Sequence, residues 1–342
     1  MTIKKEVLVP IVGVAVAIAG LTGAGLAISK MVENQPKQAV ESTITTTYSP
    51  KKNEAPSMTA ENTDYQMKKD LDIILVMGVD ERQKIGDAQT YVNYSQADVL
   101  YVYAIDHKNK TYQALQISRE TMADVQVYTT DGEKFYKDKM QICLAHSYGK
   151  TDRERCLNTV DSVSGLLFDI PIAHYVQLDM GSIPVLNDQV GGVTVTIPAG
   201  MEKIDPAFVE GAQVKLQGDQ TEKFVRSRMD LADDSNNFRM QRQEIFLKAW
   251  KETVKEKMAT DSNLAVNMLL ALSNYMYSDM SANTLSDLAS KLKDYKDLGT
   301  LTTKGEIIEE DQDHIFREYH VDKEDLQKKI IELCYEPAPA KQ

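Results

Sequence analysis

Apolar and polar positions along this chain fall into three regimes. From Val7 to Ile28 the run is apolar and carries no charge, long enough to cross about 30 Å of hydrocarbon as a helix. Gly13, Gly20, Gly23, Gly25 and Pro10 are tolerated in such a helix. A cleaved signal peptide is the competing reading, although its apolar region is normally shorter, about 7–15 residues. From Glu33 to Lys69 the chain is rich in Thr, Ser, Pro, Lys, Gln and Asn and has no apolar periodicity, which predicts a solvated tether. From Asp70 onward short apolar runs alternate with helical periodicity. Leu71–Val79 predicts a buried strand, and residues 86–96 a long loop. Val99–Ile105 and Thr111–Ile117 predict a hairpin turning at Asp106–Lys110. The pattern turns helical from about Lys139 to Ser147, and again to Leu167 behind a cap at Thr151 or Asp152. Pro171–Met180 and Val193–Ile197 predict strands on either side of a short helix, Ile183–Val190, closed by Gly191-Gly192.

The remainder is mainly helical. Gly218–Val225 predicts a short helix, and periodicity runs on past Trp250 to about Tyr275 and from Ser281 to Leu292. A strand pair, Glu306–Glu309 with Ile315–Tyr319, precedes a final helix, Asp322–Leu333, capped by Asp322. Strands alternating with helices predict an α/β domain. The expected organisation is therefore an N-terminus and membrane anchor over 1–31, a linker over 32–69, one catalytic domain over 70–335 and a tail over 336–342. Lys4 and Lys5 ahead of the apolar run favour a cytoplasmic N-terminus with the domain outside, against the opposing Lys30.

Charge narrows the function. A formal net charge of -12 argues against a nucleic-acid partner, which calls for a basic face. Three cysteines are too few for a disulfide scaffold. Cys143 and Cys156 are close enough in sequence to bridge outside the cytoplasm, or else stand as two separately buried thiols. His146 has no neighbour at metal-ligand spacing and reads as a satisfied histidine.

Against the acidic background, arginines cluster between Phe224 and Gln243. Read as a helix, Arg239, Gln243, Phe246 and Trp250 share one face, with Arg242 beside them. These arginines extend an apolar stripe instead of opposing it, so they are expected to point inward. Asp233, Asp234 and Ser235 are candidate caps upstream. Arg226 and Arg228 share a face only if the chain there is extended. A guanidinium fork matches phosphate oxygens, so an anion site is one reading of the cluster. Pairing with Asp230, Asp233 and Asp234 is the other. Asp80 and Arg82 follow the first strand, Asp98 opens the second, and Arg119 follows the third. Polar groups at strand ends of α/β sheets often line a ligand crevice.

In order, Leu75-Val76-Met77-Gly78-Val79-Asp80-Glu81-Arg82, Ala97-Asp98-Val99-Leu100, Ser118-Arg119-Glu120-Thr121, Gly191-Gly192-Val193-Thr194-Val195, Gly218-Asp219-Gln220, Arg226-Ser227-Arg228 and Arg239-Met240-Gln241-Arg242-Gln243 form a series. In this series the chain resembles the LytR-CpsA-Psr family of bacterial cell-envelope proteins across about 70–335. The resemblance implies an αβα domain with a central mixed sheet flanked by helices, held by one N-terminal transmembrane helix in the bacterial cell membrane. It implies a phosphotransferase that moves a glycopolymer phosphate from an undecaprenyl-pyrophosphate carrier to a peptidoglycan sugar hydroxyl, as in teichoic acid or capsule attachment. Carried over by position, Asp80 and Asp98 match the acids near metal and pyrophosphate. Arg119, Arg226, Arg228, Arg239 and Gln243 match the pyrophosphate clamp, Arg82 matches the arginine after the first acid, and Arg82 and Arg242 are expected to bind the same pyrophosphate. Mg²⁺ is the implied cofactor, with Mn²⁺ as the alternative, and Asp98 is equally open to a general-base role. Alternatives from other classes are a polyprenyl-phosphate-binding regulatory module without turnover and a lipid-pyrophosphate hydrolase. The chain departs from the family's common pattern at Gln96, where an arginine is usual, at Glu120 in place of aspartate, and at Asn236 in place of an acid.

Overall fold

The computed structural model describes residues 57–60, 63–80, 90–93, 95–227, 264–292, 294–309 and 316–339, with scattered positions between 242 and 261. The Val7–Ile28 run, Arg82, Arg228, Arg239 and Gln243 lie outside the described residues, as do Asp233, Asp234, Ser235 and Asn236. No helix among the described residues is long and apolar enough to cross a membrane.

In chain order the strands are β1 (Met58–Ala60), β2 (Thr63–Met67), β3 (Leu71–Val79), β4 (Ala97–Asp106), β5 (Thr111–Ile117), β6 (Met122–Tyr128) and β7 (Lys134–Gln141). A 3-10 helix, Ile142–Ser147, leads to α1 (Asp152–Leu166), then β8 (His174–Asp179), α2 (Ser182–Gln189), β9 (Val193–Thr196), β10 (Gln213–Leu216) and α3 (Asp219–Arg226). After these come α4 (Leu264–Leu272), β11 (Met276–Ser278), α5 (Ala282–Leu292), β12 (Lys296–Thr302), β13 (Gly305–Ile308), β14 (Glu318–Val321), α6 (Lys323–Cys334) and β15 (Tyr335–Pro337).

Where one domain was expected over 70–335, the chain forms two compact units: Met180–Tyr275 with Ala282–Lys293, and a sheet unit ending at Asp179 that regains Met276–Ser281 and everything from Asp294 on. The sheet unit is built on six strands in the order β11-β8-β3-β4-β5-β12. Pairings β3–β4, β4–β5 and β8–β11 are antiparallel, whereas β3–β8 and β5–β12 are parallel, so the mixed sheet is as expected. β3 is buried over Ile73–Val79, which is why its sequence reads as a continuous apolar run without alternation. Ile73, Leu75 and Met77 form one core with Leu100 and Val102 of β4, Leu115 of β5, Val160 and Val163 of α1 and Ile330 and Leu333 of α6. α1 starts with a capping box: Glu154 N–H donates to Thr151 Oγ1 at 3.2 Å, and the Glu154 carboxylate takes the Thr151 N–H at 3.0 Å. Asp322 caps α6 by accepting from Glu324 and Asp325 N–H groups.

The boundaries and one helix are corrected here. The tether does not run to Lys69 and the tail does not begin at 336. β2 pairs antiparallel with both β1 and β15, and Met58 is buried, so the folded region takes in residues 58–67 and 335–337. Of the two readings left open for Cys143 and Cys156, the separately buried thiols hold: Cys143, Cys156 and Cys334 are free and buried. Lys139–Gln141 is strand, not helix. It pairs with residues 122–124 as the end of the mostly exposed β7, and only Ile142–Ser147 of the expected stretch is helical, as a 3-10 helix.

In the helical unit Asn187 is a buried knot. Its amide donates to Leu216 O at 2.7 Å and Thr221 Oγ1 at 2.9 Å, and its carbonyl accepts from Val193 N at 3.1 Å. The turn between α2 and β9 requires glycine. Gly191 and Gly192 have φ of 77° and 82°, and a Cβ on Gly192 would lie 2.5 Å from Leu216 O.

Candidate active site

The sheet unit gathers chemistry at one edge. β3 and β8 run parallel, with Val79 opposite Asp179, so both deliver their carboxyl ends there. β4 is antiparallel to β3 and starts at the same edge, with Ala97 opposite Val79. β5 is antiparallel to β4, with Ile117 opposite Leu100, so Ser118 and Arg119 leave the sheet beside Asp98. Thus Asp80, Asp98 and Arg119, named from sequence on three separate strands, are placed together by strand order alone. Asp80 is exposed, while Asp98 and Arg119 are half-buried.

The contacts there are specific. Arg119 Nη1 donates to Asp98 Oδ1, and Arg119 Nη2 donates to Gln96 Oε1 at 2.7 Å. Gln96 O accepts from both Asp80 N and Asp98 N, each at 3.1 Å. Cys143 Sγ lies 3.9 Å from Gln96 Oε1. Burial pushes the Cys143 thiol up to about 11, against the lowering influence of Arg119, so it is a protonated donor. Burial works to lower the pKa of Arg119, but the neighbouring Cys143, Asp98 and Glu120 outweigh it and raise it, so the guanidinium stays charged.

Behind the edge runs a buried polar chain. Ser95 Oγ lies 3.0 Å from His146 Nδ1, and His146 Nε2 lies 3.2 Å from Gln177 Oε1. Gln177 Nε2 donates to Asp152 Oδ1 at 3.1 Å and Asp179 Oδ1 at 2.9 Å, and Cys156 donates to Gln177 Oε1 at 3.2 Å. Arg155 closes on Asp152 at 2.6 Å. Burial, helped by Arg155, pushes His146 down to about 3, so the imidazole is neutral; the satisfied histidine expected from sequence is what the structure shows.

Of the arginine cluster, the helical unit describes Arg226 and Arg242. Arg226 ends α3 and donates to Glu222 Oε1 at 3.3 Å, one turn back. Arg226 is helical and Arg228 lies outside the described residues, so the shared face of the two is not described. Arg242 is fully buried and so points inward as expected; among its contacts are donations to Phe224 O at 2.6 Å and to Ser227 O. Phe246 and Trp250 are buried, in keeping with the apolar stripe.

No cluster of three or more His, Cys, Asp or Glu suited to a metal exists among the described residues. The carboxylates that sequence reading assigned to a metal, Asp80 and Asp98, both lie at this edge. That suits a hard cation sharing its shell with water and phosphate oxygens, not an all-protein cage.

The LytR_cpsA_psr family model matches residues 34–332. The chain belongs to the LytR_cpsA_psr family. It is 26% identical over 243 residues to Biofilm regulatory protein A of Streptococcus mutans, covering 68% of this chain and 56% of that protein. It is 29% identical over 206 residues to the polyisoprenyl-teichoic acid–peptidoglycan teichoic acid transferase TagV of Bacillus subtilis, covering 58% of this chain and 46% of the relative. The chain thus spans about half the length of these curated relatives. In fold it is similar to the solved structure of TagT bound to LIIa-WTA, with a TM-score of 0.50 and 20% identity over 78% of this chain and 90% of that one. The LytR_cpsA_psr match starting at residue 34 accords with folded strands ahead of Asp70.

Sequence reasoning named the three charged residues at the edge but not the contacts of Gln96. It was read only as a missing cation. Its backbone neighbours, Asp80 and Asp98, were the available signal, since a residue two before Asp98 faces the end of β3 in an antiparallel pair. Cys143 gave no signal, because nothing in a lone cysteine's sequence context places it beside an arginine 24 residues earlier.

Proposed function

We propose that this chain is a membrane-anchored phosphotransferase that moves a glycopolymer phosphate from an undecaprenyl-pyrophosphate carrier to a sugar hydroxyl of peptidoglycan. The observation that carries the reading is the Arg119 fork, oriented by Asp98 and Gln96 beside Asp80, in a member of a family whose relatives include named teichoic acid transferases. Phosphoryl transfer asks a protein mainly to position and to stabilise charge on phosphoryl oxygens. A guanidinium pre-oriented by two acceptors meets that demand without reorganising during the reaction. Arg82, Arg226, Arg228, Arg239 and Gln243 are proposed to complete the diphosphate clamp. Arg242, which also donates to the carbonyls of Phe224 and Ser227, is proposed alongside them.

Mg²⁺, with Mn²⁺ as the alternative, would be held by Asp80 and Asp98 and would supply charge neutralisation at the diphosphate. Asp98 is also the carboxylate in reach of general-base duty toward the acceptor hydroxyl, because it shares the edge with Arg119. The Val7–Ile28 run is proposed as the single-pass anchor that places the domain on the extracytoplasmic side.

The test is transfer of a radiolabelled lipid-linked oligosaccharide to peptidoglycan oligomers by wild type and Arg119→Ala. A loss of about 10²–10³-fold is expected from removing one preorganised cationic donor. Equal transfer by the two proteins would overturn the assignment. The second reading, lipid-phosphate binding without turnover, is favoured by the fact that Arg119 is already neutralised in part by Asp98. It predicts tight binding with no transfer under any divalent metal.

A further inference from the structure

Gln96 touches the Arg119 guanidinium and the backbones of Asp80 and Asp98 at the sheet edge. Its main-chain carbonyl accepts from Asp80 N and from Asp98 N, both at 3.1 Å. Its side-chain carbonyl accepts from Arg119 Nη2 at 2.7 Å, while Asp98 takes Nη1. A guanidinium held through one terminal nitrogen can still swing about that contact. Held through both, by acceptors on neighbouring residues of one strand, its plane is fixed.

The residue is itself held from behind. Ser95 is buried, with its N–H donating to Asn93 Oδ1 at 2.9 Å, its carbonyl accepting from Ser147 Oγ at 2.9 Å and its hydroxyl 3.0 Å from His146 Nδ1. Cys143, from the same 3-10 helix as His146, approaches the Gln96 carbonyl at 3.9 Å. The 3-10 helix thus approaches both residues, holding Ser95 through His146 and Ser147 and reaching the half-buried Gln96 through Cys143.

We propose that Gln96 is the positioning residue of this site: a neutral acceptor that fixes the plane of Arg119 and ties it to the backbones of Asp80 and Asp98. An anion at position 96 would cancel more of the charge that Arg119 offers to a diphosphate. The inference rests on the transferase reading for its kinetic consequence, but its binding consequence stands without it.

The experiment measures inorganic pyrophosphate binding by calorimetry, transfer kinetics and Tm for wild type, Gln96→Leu and Gln96→Glu. Gln96→Leu removes the acceptor at similar volume. It is expected to weaken pyrophosphate binding and to lower kcat, each about tenfold, as for loss of one bond to a charged group, with Tm within about 2 °C of wild type. Gln96→Glu keeps an acceptor at the same reach, so kcat recovers to within about threefold while KM rises from the added negative charge. A Leu variant that binds and transfers like wild type overturns the proposal, and so does a Glu variant whose kcat falls as far as that of Leu. If wild type binds pyrophosphate but transfers nothing, the transferase reading fails and the Leu comparison of binding still decides the role of Gln96. If wild type does not bind pyrophosphate, both fall.

Discussion

Arg119 shows how much one side chain's chemistry depends on its fork. Asp98 and Gln96 take one terminal nitrogen each. Lysine offers a single point charge that cannot meet two acceptors in one plane. Arg119→Lys is therefore expected to keep the fold and the charge yet lose about tenfold or more in transfer kcat/KM. A lysine variant with wild-type kinetics would show that charge alone suffices. Two histidines make a second residue-scale contrast. His146, pushed down to about 3 by burial, binds fewer protons folded than unfolded below its ordinary value of 6.5. Stability should then fall as pH drops from 6.5 toward 3. His174 is shifted the other way: its Nδ1 bond to Asp279 Oδ2 at 3.1 Å raises its pKa, outweighing partial burial. That contribution is fully present below 6.5 and is lost as pH rises through the raised value. Urea denaturation across pH should show His146→Gln flattening the acid-side slope and Asp279→Asn flattening the slope above 6.5. If either variant parallels wild type across its window, the corresponding linkage is absent.

At the scale of elements, the sequence was readable wherever burial imposed a period. β3, β5, α1 and α6 lie where their apolar patterns placed them, because each has a face or a whole body in the core. β7 and β12 were not readable, since almost every residue in them is exposed and no hydrophobic signal marks them as strands. β11 and β15 are three residues each, too short to carry a period. They form because a neighbouring strand, β8 or β2, offers an open edge. Local side-chain chemistry was legible where it replaced periodicity. The Thr151 cap is a case: both halves of its box form, at 3.0 and 3.2 Å. Thr151→Ala should cost about 1 kcal/mol in urea unfolding, with Glu154→Ala costing no more than that. A change below about 0.3 kcal/mol for Thr151→Ala would mean that packing of α1 on the sheet, not its cap, sets where the helix starts.

At the scale of the whole molecule, the chain returns to its own beginning. β15, after α6, pairs with β2, with Tyr335 opposite Met67, and β2 in turn pairs with β1. Lys68 Nζ donates to the carbonyls of Glu332 and Leu333 at the end of α6, at 3.0 and 2.9 Å. A lysine there meets carbonyls that have no partner within the helix and sits at the negative end of its dipole. α6 in turn contributes Leu326, Ile330 and Leu333 to the core under β3, β4 and β5, the strands that carry Asp80, Asp98 and Arg119. β1, β2 and Lys68 therefore support the site from behind, although compositionally they look like the last part of a tether: Thr59, Thr63, Asp64, Gln66 and Lys68 are polar, and only Met58 is buried among β1 and β2. Their structure comes from main-chain pairing, which leaves no mark on hydropathy. A chain begun at Asp70 loses both strands and the Lys68 contacts, and should melt at least about 5 °C below a chain begun at residue 34, since about 1 kcal/mol shifts Tm by 2–4 °C in a domain of this size. Lys68→Ala in the longer chain isolates the helix-end contribution and should account for less than half of the drop. Equal melting temperatures for the two lengths would show that the β1–β2–β15 sheet is peripheral, and that α6 holds its place through the core alone.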